Sequence, residues 1–387
     1  MTRLVLLGGG HAHLFVLEGL ARGLFGPVDA TLVSPVRHQA YSGMVPGLIG
    51  GRYRTEELSF DLEATTARAG VTFVCSRARR ILPAEREVEL EDGRRIGYDL
   101  LSVATGSTVR GTDLPGVREH ALVVKPIDRA EVIVPALEQA AAEHGSALRV
   151  VVVGGGAAGA EVALALRARL RTLSAAASAR VALLESGSEV VPDRAPAARR
   201  KVRRALALNG IELKLGAQVH AVDGRGATLA DGSTVPMHLL VWAAGAGPSD
   251  LLRASALETD ARGFLLVDDR LRSLSDPRIF AAGDAATLAA YPATPKAGVY
   301  AVREGPVLRD NLAAACHGRD PSRSYSPQHR FLALFNTGDG RAILSYGPLA
   351  LRARWAMRLK DRIDRRFMRR FQRLALPTSD SYIPISR

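Results

Sequence analysis

Apolar positions along the chain fall in short blocks that return in a fixed order. Residues 4–7, LVLL, form one block, glycines occupy 8–10, and a second apolar stretch runs from Ala12 to Leu20. That order predicts a buried strand, a tight turn and a helix. It recurs in LRVVVVGGGAAGAEVALALRARL, residues 148–170, with a strand at Val150–Val153 and helix positions Val162, Leu164, Ala165 and Leu166. Each unit is followed by a further apolar strand, DATLVS ending at Ser34 and ARVALLE ending at Glu185. YDLLSVATGS (98–107) and MHLLVWAAGAGPS (237–249) are strands running into small-residue turns, each preceded by an Asp-Gly hairpin. SDPRIFAAGDAA predicts one more strand, ending at Gly283-Asp284. Strands alternating with helices in this way predict an α/β fold with parallel sheets.

The glycines carry the first chemical signal. Gly154, Gly156 and Gly159 complete a G-x-G-x-x-G between strand and helix, the pattern that cradles a dinucleotide pyrophosphate. The first glycine permits the turn, the second admits the phosphates, and the third lets helix and strand approach; the helix N-terminus adds unpaired N–H groups. At the N-terminus Gly8 and Gly10 fit the pattern, but His13 stands at the third glycine position. Glu185 can accept both hydroxyl hydrogens of an adenosine ribose and would repel a 2′-phosphate, which favours NADH over NADPH. Ser34, at the matching point of the first unit, offers a weaker partner. His11 and His13 diverge on a helix, so no metal site is expected.

Composition changes this picture little. The 387 residues suffice for two or three domains, and 47% apolar with 24% charged residues is ordinary for a globular chain. The net charge is +13, and only five of 52 basic residues are lysine. Two distant cysteines, Cys75 and Cys316, give neither a disulfide framework nor a zinc spacing, and both read as structural. No apolar run approaches the ~20 residues of a membrane span. The chain opens directly on a strand, without a signal peptide pattern. The expected compartment is the cytoplasm.

The ordered set of two cradles, two small-residue turns and Gly283-Asp284 resembles flavoproteins of the pyridine nucleotide-disulfide oxidoreductase superfamily. The resemblance implies two Rossmann-like domains, an NAD(P)H domain (117–248) inserted in an FAD domain (1–116 and 249–320), and a C-terminal segment (321–387). It implies FAD on Gly8, Gly10, His11, Ala12, His13 and Ser34, with Arg37 and Tyr41 in the segment beside the flavin ring. Ala104-Thr105-Gly106 and the turn at Gly245 would be the crossings between domains. Gly283 and Asp284 would hold the ribityl chain, and Gly154, Gly156, Gly159 and Glu185 the NADH, with NADPH as the other possible donor.

Residues 36–51, VRHQAYSGMVPGLIGG, contain no cysteine, unlike the disulfide reductases of the superfamily. The segment is similar to type II NADH dehydrogenases, and closer to a flavoprotein module found fused to selenide, water dikinase. That likeness implies hydride transfer from nicotinamide to flavin and then to a quinone-like acceptor. Lys296, at the start of a predicted helix, would stabilise negative charge at the flavin pyrimidine edge; Tyr300 and Lys125 join it as candidate catalytic residues. The glutamines that type II dehydrogenases place near Tyr300 and Arg303 are absent. A sulfide- or thiol-oxidising flavoprotein using Cys316, and a low-turnover flavin-binding interaction protein, are the competing readings.

The tail departs from this grammar. Between Arg352 and Arg373 lie nine arginines and Lys360 against Asp361 and Asp364, so 10 − 2 gives +8. Leu351, Trp355, Leu359, Ile363, Phe367 and Phe371 recur every fourth residue, predicting an amphipathic helix. Two destinations are open. One is an anionic membrane surface, on the inner face of the plasma membrane; the other is packing on the flavin domain or in a homodimer. No nucleic-acid-binding module is present.

Overall fold

The computed structural model describes residues 1–376. Two five-stranded parallel sheets form its centre. In the first the strand order is Ile279–Ala281, Leu100–Val103, Thr2–Leu7, Val28–Ser34 and Thr72–Cys75. In the second it is Ala121–Val123, Leu239–Trp242, Arg149–Val153, Arg180–Glu185 and Ile211–Leu215. The first sheet draws strands from both sides of the second in sequence, so one Rossmann-like unit is inserted in the other. Parallel strands are buried on both faces, which is why they read as unbroken apolar runs rather than alternating ones.

The two Asp-Gly hairpins belong to small three-stranded antiparallel sheets, residues 78–97 and 219–236. The two connections between the units pair with each other: Thr108–Val109 runs antiparallel to Ala246–Gly247, and Trp242 Nε1 donates to the Arg110 carbonyl at 2.7 Å. The helix His11–Ala21 packs along the helix Gly298–Cys316. Gly305 makes that approach possible, because a Cβ there would lie 2.2 Å from the Phe15 ring.

The tail forms a hairpin-bearing sheet, Ala333–Asn336, Ala342–Tyr346 and Leu349–Ala353, and then the helix Arg354–Gln372. That helix lies on the outer Rossmann-like unit. Phe371 packs edge-on against Phe15 at 4.9 Å, and Phe367 stacks on Tyr41 at 4.8 Å. Met357, Met368 and Phe371 are buried. Ion pairs from Arg370 to the buried Glu18 (2.7 Å) and from Arg365 to Glu57 (2.9 Å) fix its rotation. The tail residues 377–387 lie outside the described residues.

Candidate active site

The first cradle is built as a turn pressed against the neighbouring strand end. Gly8 has φ +87°, and a Cβ on Gly10 would lie 2.2 Å from the Ala104 carbonyl oxygen. His13 takes the place of the third glycine by being useful where it is buried. Its Nδ1 meets the Gly8 carbonyl at 2.6 Å and its Nε2 meets Ser102 Oγ at 2.8 Å. The histidine therefore ties turn, helix and adjacent strand together, and burial pushes its imidazole pKa down to about 4. In the second cradle Gly159 does what a third glycine does: a Cβ would lie 1.8 Å from the Gly154 carbonyl oxygen.

One cavity of about 1630 Å³ joins the two cradles. Single small-ligand sites are roughly 300–1,000 Å³, so the space exceeds the need of one ligand. From the expected set, Gly8, Gly10, His11, Ala12, Ser34, Tyr41, Ala104, Thr105, Gly106, Lys125, Gly154, Gly156, Glu185, Gly245, Gly283, Asp284 and Lys296 line it. Four do not. His13 and Gly159 lie behind the lining as packing elements. Tyr300 borders a separate small cavity with Glu304. Arg37 is turned outward to pair with the half-exposed Glu63, while Gln39 and Tyr41 line the cavity.

The charged groups of the cavity wall gather around Asp284, near His11 of the first cradle. Lys125 Nζ pairs with Asp284 Oδ2 and donates to Ser107 Oγ at 3.1 Å, while Ser107 donates to the same carboxylate at 3.0 Å. Burial raises the Asp284 pKa, but the Lys125 charge and the two hydrogen bonds outweigh it and leave the group below its ordinary value. Lys296 donates to the Ala286 carbonyl and to Thr287 Oγ1 (2.8 Å), with its ammonium 4.2 Å from the Phe264 ring centroid. Burial lowers its pKa to about 8. The helix that follows starts at Gly298, so Lys296 precedes it by two residues.

His11 Nε2 and Thr105 Oγ1 are buried without a hydrogen-bond partner among the described residues. Both line the cavity. Unpaired polar atoms beside a glycine cradle are what a polar dinucleotide would satisfy, so the residues fit a flavin nucleotide. Ser34 spends its hydroxyl on the Val36 carbonyl at 3.0 Å; the carboxylate of Glu91 and the guanidinium groups of Arg77 and Arg79 line the same end of the cavity. In the second cradle Glu185 accepts from Gly155 N (2.5 Å) and Gly187 N (2.7 Å), holding its carboxylate at the cavity wall.

A second charged group went unread in the sequence. Glu161, two residues past Gly159, lines the cavity together with Lys360 and Asp364 of the C-terminal helix. Lys360 Nζ donates to Asp364 Oδ2 (2.9 Å) and to the Gly43 carbonyl (2.8 Å). Glu161 accepts from Asn336 N at 2.7 Å, and burial pushes its pKa up to about 7 against the opposing charge of Lys360. Only the position of Glu161 one turn into the cradle helix hinted at it. Cys75 and Cys316 do not line the cavity among the described residues. Cys75 is exposed rather than buried, because it ends the edge strand of its sheet. Burial pushes the Cys316 thiol up to about 12.

A family model described as pyridine nucleotide-disulphide oxidoreductase matches residues 2–305. The chain belongs to this family. It is 33% identical over 304 residues to an NADH dehydrogenase-like protein of Mycobacterium tuberculosis, covering 74% of this chain and 73% of that one. It is 27% identical over 372 residues to a demethylphylloquinone reductase of Synechocystis, covering 91% and 90%. Among solved structures, a sulfide:quinone oxidoreductase from Aquifex aeolicus superposes with a TM-score of 0.79 at 17% identity, covering 98% of this chain and 94% of that one. An NDH2 from Plasmodium falciparum in complex with NADH gives 0.75 at 15%, covering 97% and 100%; both show the fold. This oxidoreductase is of NADH dehydrogenase-like type, a flavin and pyridine-nucleotide enzyme.

Proposed function

We propose that this oxidoreductase binds FAD at the first cradle and NADH at the second, and passes electrons to a quinone-like acceptor. The observation that carries the reading is one cavity joining both cradles, with Lys125, Asp284 and Lys296 on its wall. Bound flavin supplies the chemistry: hydride acceptance from a reduced nicotinamide and two-electron delivery to the acceptor. The protein's part is to bind, orient and balance charge.

Glu185 would take the adenosine ribose hydroxyls, and its charge disfavours a 2′-phosphate. Asp284, kept ionised by Lys125, would accept from a ribityl hydroxyl. Lys296 is mostly charged at neutral pH and offsets negative charge arriving on the flavin. Gly8–Gly10 and the N-terminus of the helix His11–Ala21 would hold the pyrophosphate. A quinone acceptor is supported by the Synechocystis relative and by relatives named alternative NAD(P)H-ubiquinone oxidoreductase. The sulfide- or thiol-oxidising alternative would need a cysteine at the cavity, and neither cysteine is there.

A membrane surface is the natural source of a quinone. No helix among the described residues is long and apolar enough to cross a membrane. Leu349, Leu351 and Trp355 are exposed beside the arginines of the tail, while Ile363 and Phe367 line the cavity and Phe371 is buried. The apolar stripe is thus split between the flavin unit and an outward, basic patch suited to an anionic bilayer. Identifying the released flavin, then comparing NADH with NADPH against a panel of quinones, tests the reading. Absence of flavin, or flavin without NADH-dependent quinone reduction, would refute it.

A further inference from the structure

Glu304 lies in the middle of the helix Gly298–Cys316, 5% exposed, with its side chain turned toward the strand end that carries Asp284. Its Oε2 accepts from Gly283 N at 2.5 Å. Glu304, Lys296, Tyr300, Thr287 and Asp284 border one cavity of about 10 Å³, whose other walls include Val267, Leu271 and Leu288; its size is close to the lower limit for one water. Beyond Lys296 the polar contacts continue outward. Thr287 donates to Asp260 Oδ2 at 2.9 Å, and Asp260 pairs with the half-exposed Arg262 at 3.0 Å. A buried carboxyl beside the residue proposed to hold the flavin chain therefore sits at the inner end of a polar path to the surface.

We infer that Glu304 is a proton-holding group coupled to the flavin, taking up a proton as negative charge arrives there and returning it as that charge leaves. The inference rests on the proposed flavin site. The groups that bear on Glu304 are Lys296 and Asp284, with Tyr325 from the segment that follows the helix. Burial raises the Glu304 pKa to about 7, against the Gly283 hydrogen bond and the Lys296 charge. An added negative charge nearby raises it further. The balance closes. NADH gives a hydride, which is two electrons and one proton. An acceptor reduced to its quinol takes two electrons and two protons, so one proton per turnover must come from solvent. Glu304 holds that proton between the two half-reactions, and Lys296 does not lose its charge to supply it.

The test is a redox titration of the FAD-loaded protein across neutral pH, with infrared difference spectra of flavin reduction. Glu304→Gln keeps an acceptor for Gly283 N–H, so fold and flavin should persist. The unmodified protein should take up more than one proton per two-electron reduction at pH values just above the Glu304 pKa of about 7. The Gln variant should lose the excess. Reduction should also produce a protonated-carboxyl C=O band that shifts in heavy water, survives Glu161→Gln and vanishes in Glu304→Gln. That band is read in the unmodified protein too, so a poorly folding variant leaves the test intact. Flavin bound and reduced without any new carboxyl band, or a band that stays in Glu304→Gln, overturns the inference alone. A protein that binds no flavin overturns it together with the reading beneath it.

Discussion

Phe367 of the C-terminal helix lies stacked on Tyr41 of the segment after the first cradle, ring centroids 4.8 Å apart and planes 28° off parallel. Both residues line the central cavity. A tail written as a charged amphipathic helix thus forms part of the wall of the site.

Removing the tail should therefore remove the site. Truncation after Gly347 should give protein that loses flavin and melts well below the full chain, since Met357, Met368 and Phe371 leave their buried places. Phe371→Ala alone should cost about 3–5 kcal/mol, measured by denaturant unfolding of the flavin-loaded form. A truncated protein with full flavin content and an unchanged Tm would contradict the role of this helix in the fold.

Asp284→Ala should yield colourless or weakly yellow protein. Lys125→Met should also lower flavin content, by a different route. It leaves a buried carboxylate without its cation, a loss of about 3–5 kcal/mol for a pair of this kind. Flavin-to-protein absorbance ratios after purification decide both, and a fully yellow Asp284→Ala protein would misplace the ribityl contact.

Glu185 should set donor preference. Charge-assisted hydrogen bonds are worth about 1.5–3 kcal/mol, so Glu185→Ala should narrow the NADH-to-NADPH ratio of kcat/KM by tenfold or more. Equal efficiency with the two donors in the unmodified enzyme would dismiss this role.

Two pH dependences follow from burial, from pKa shifts of opposite sign, and both decline as pH rises. Lys296, with its pKa lowered to about 8, loses charge as pH rises through that value. The rate of flavin reduction should fall on that alkaline limb, and Lys296→Arg should keep the charge and move the limb upward. Glu161 has its pKa raised from 4.5 to about 7. Between those values the folded protein holds more protons than the unfolded chain, so this contribution to stability is present below pH 4.5 and is lost as pH rises through 7. Glu161→Gln should flatten part of the decline in Tm with pH; an unchanged slope would argue against a raised pKa.

The outward half of the stripe should carry membrane affinity. Trp355 and Leu349 are 50% and 69% exposed, so replacing both by alanine should leave the fold intact. Binding to anionic vesicles should weaken by about tenfold or more, since Leu349 on the last strand and Trp355 on the helix would no longer contribute inserted apolar area. It should weaken with salt without vanishing, because the Debye length is only about 8 Å at physiological ionic strength. Sedimentation with anionic and neutral vesicles provides the comparison, and equal binding to both would remove the electrostatic component.

The sequence by itself determined the two cradles and their strands; the inserted order was implied only by the family resemblance. Those features are local: a strand period, a glycine where φ must be positive, an acid at a strand end. Gly154, Gly159, Glu185 and the strand before Asp284 were all legible because each is specified by its immediate neighbours. Tertiary structure decided the rest. A stripe repeating every fourth residue says that a helix has an apolar face, but not which surface covers it; Phe15, Phe60 and Tyr41, some 300 residues earlier in the chain, answered that for Phe367 and Phe371. Arg37 and Tyr41 stand four apart, yet one turns out to Glu63 and the other lines the cavity. Glu161, Lys360 and Asp364 meet only because an inserted domain and a C-terminal helix converge on one space. Burial, not sequence spacing, raises the pKa of Glu161 and of Glu304, and burial is a property of the whole fold.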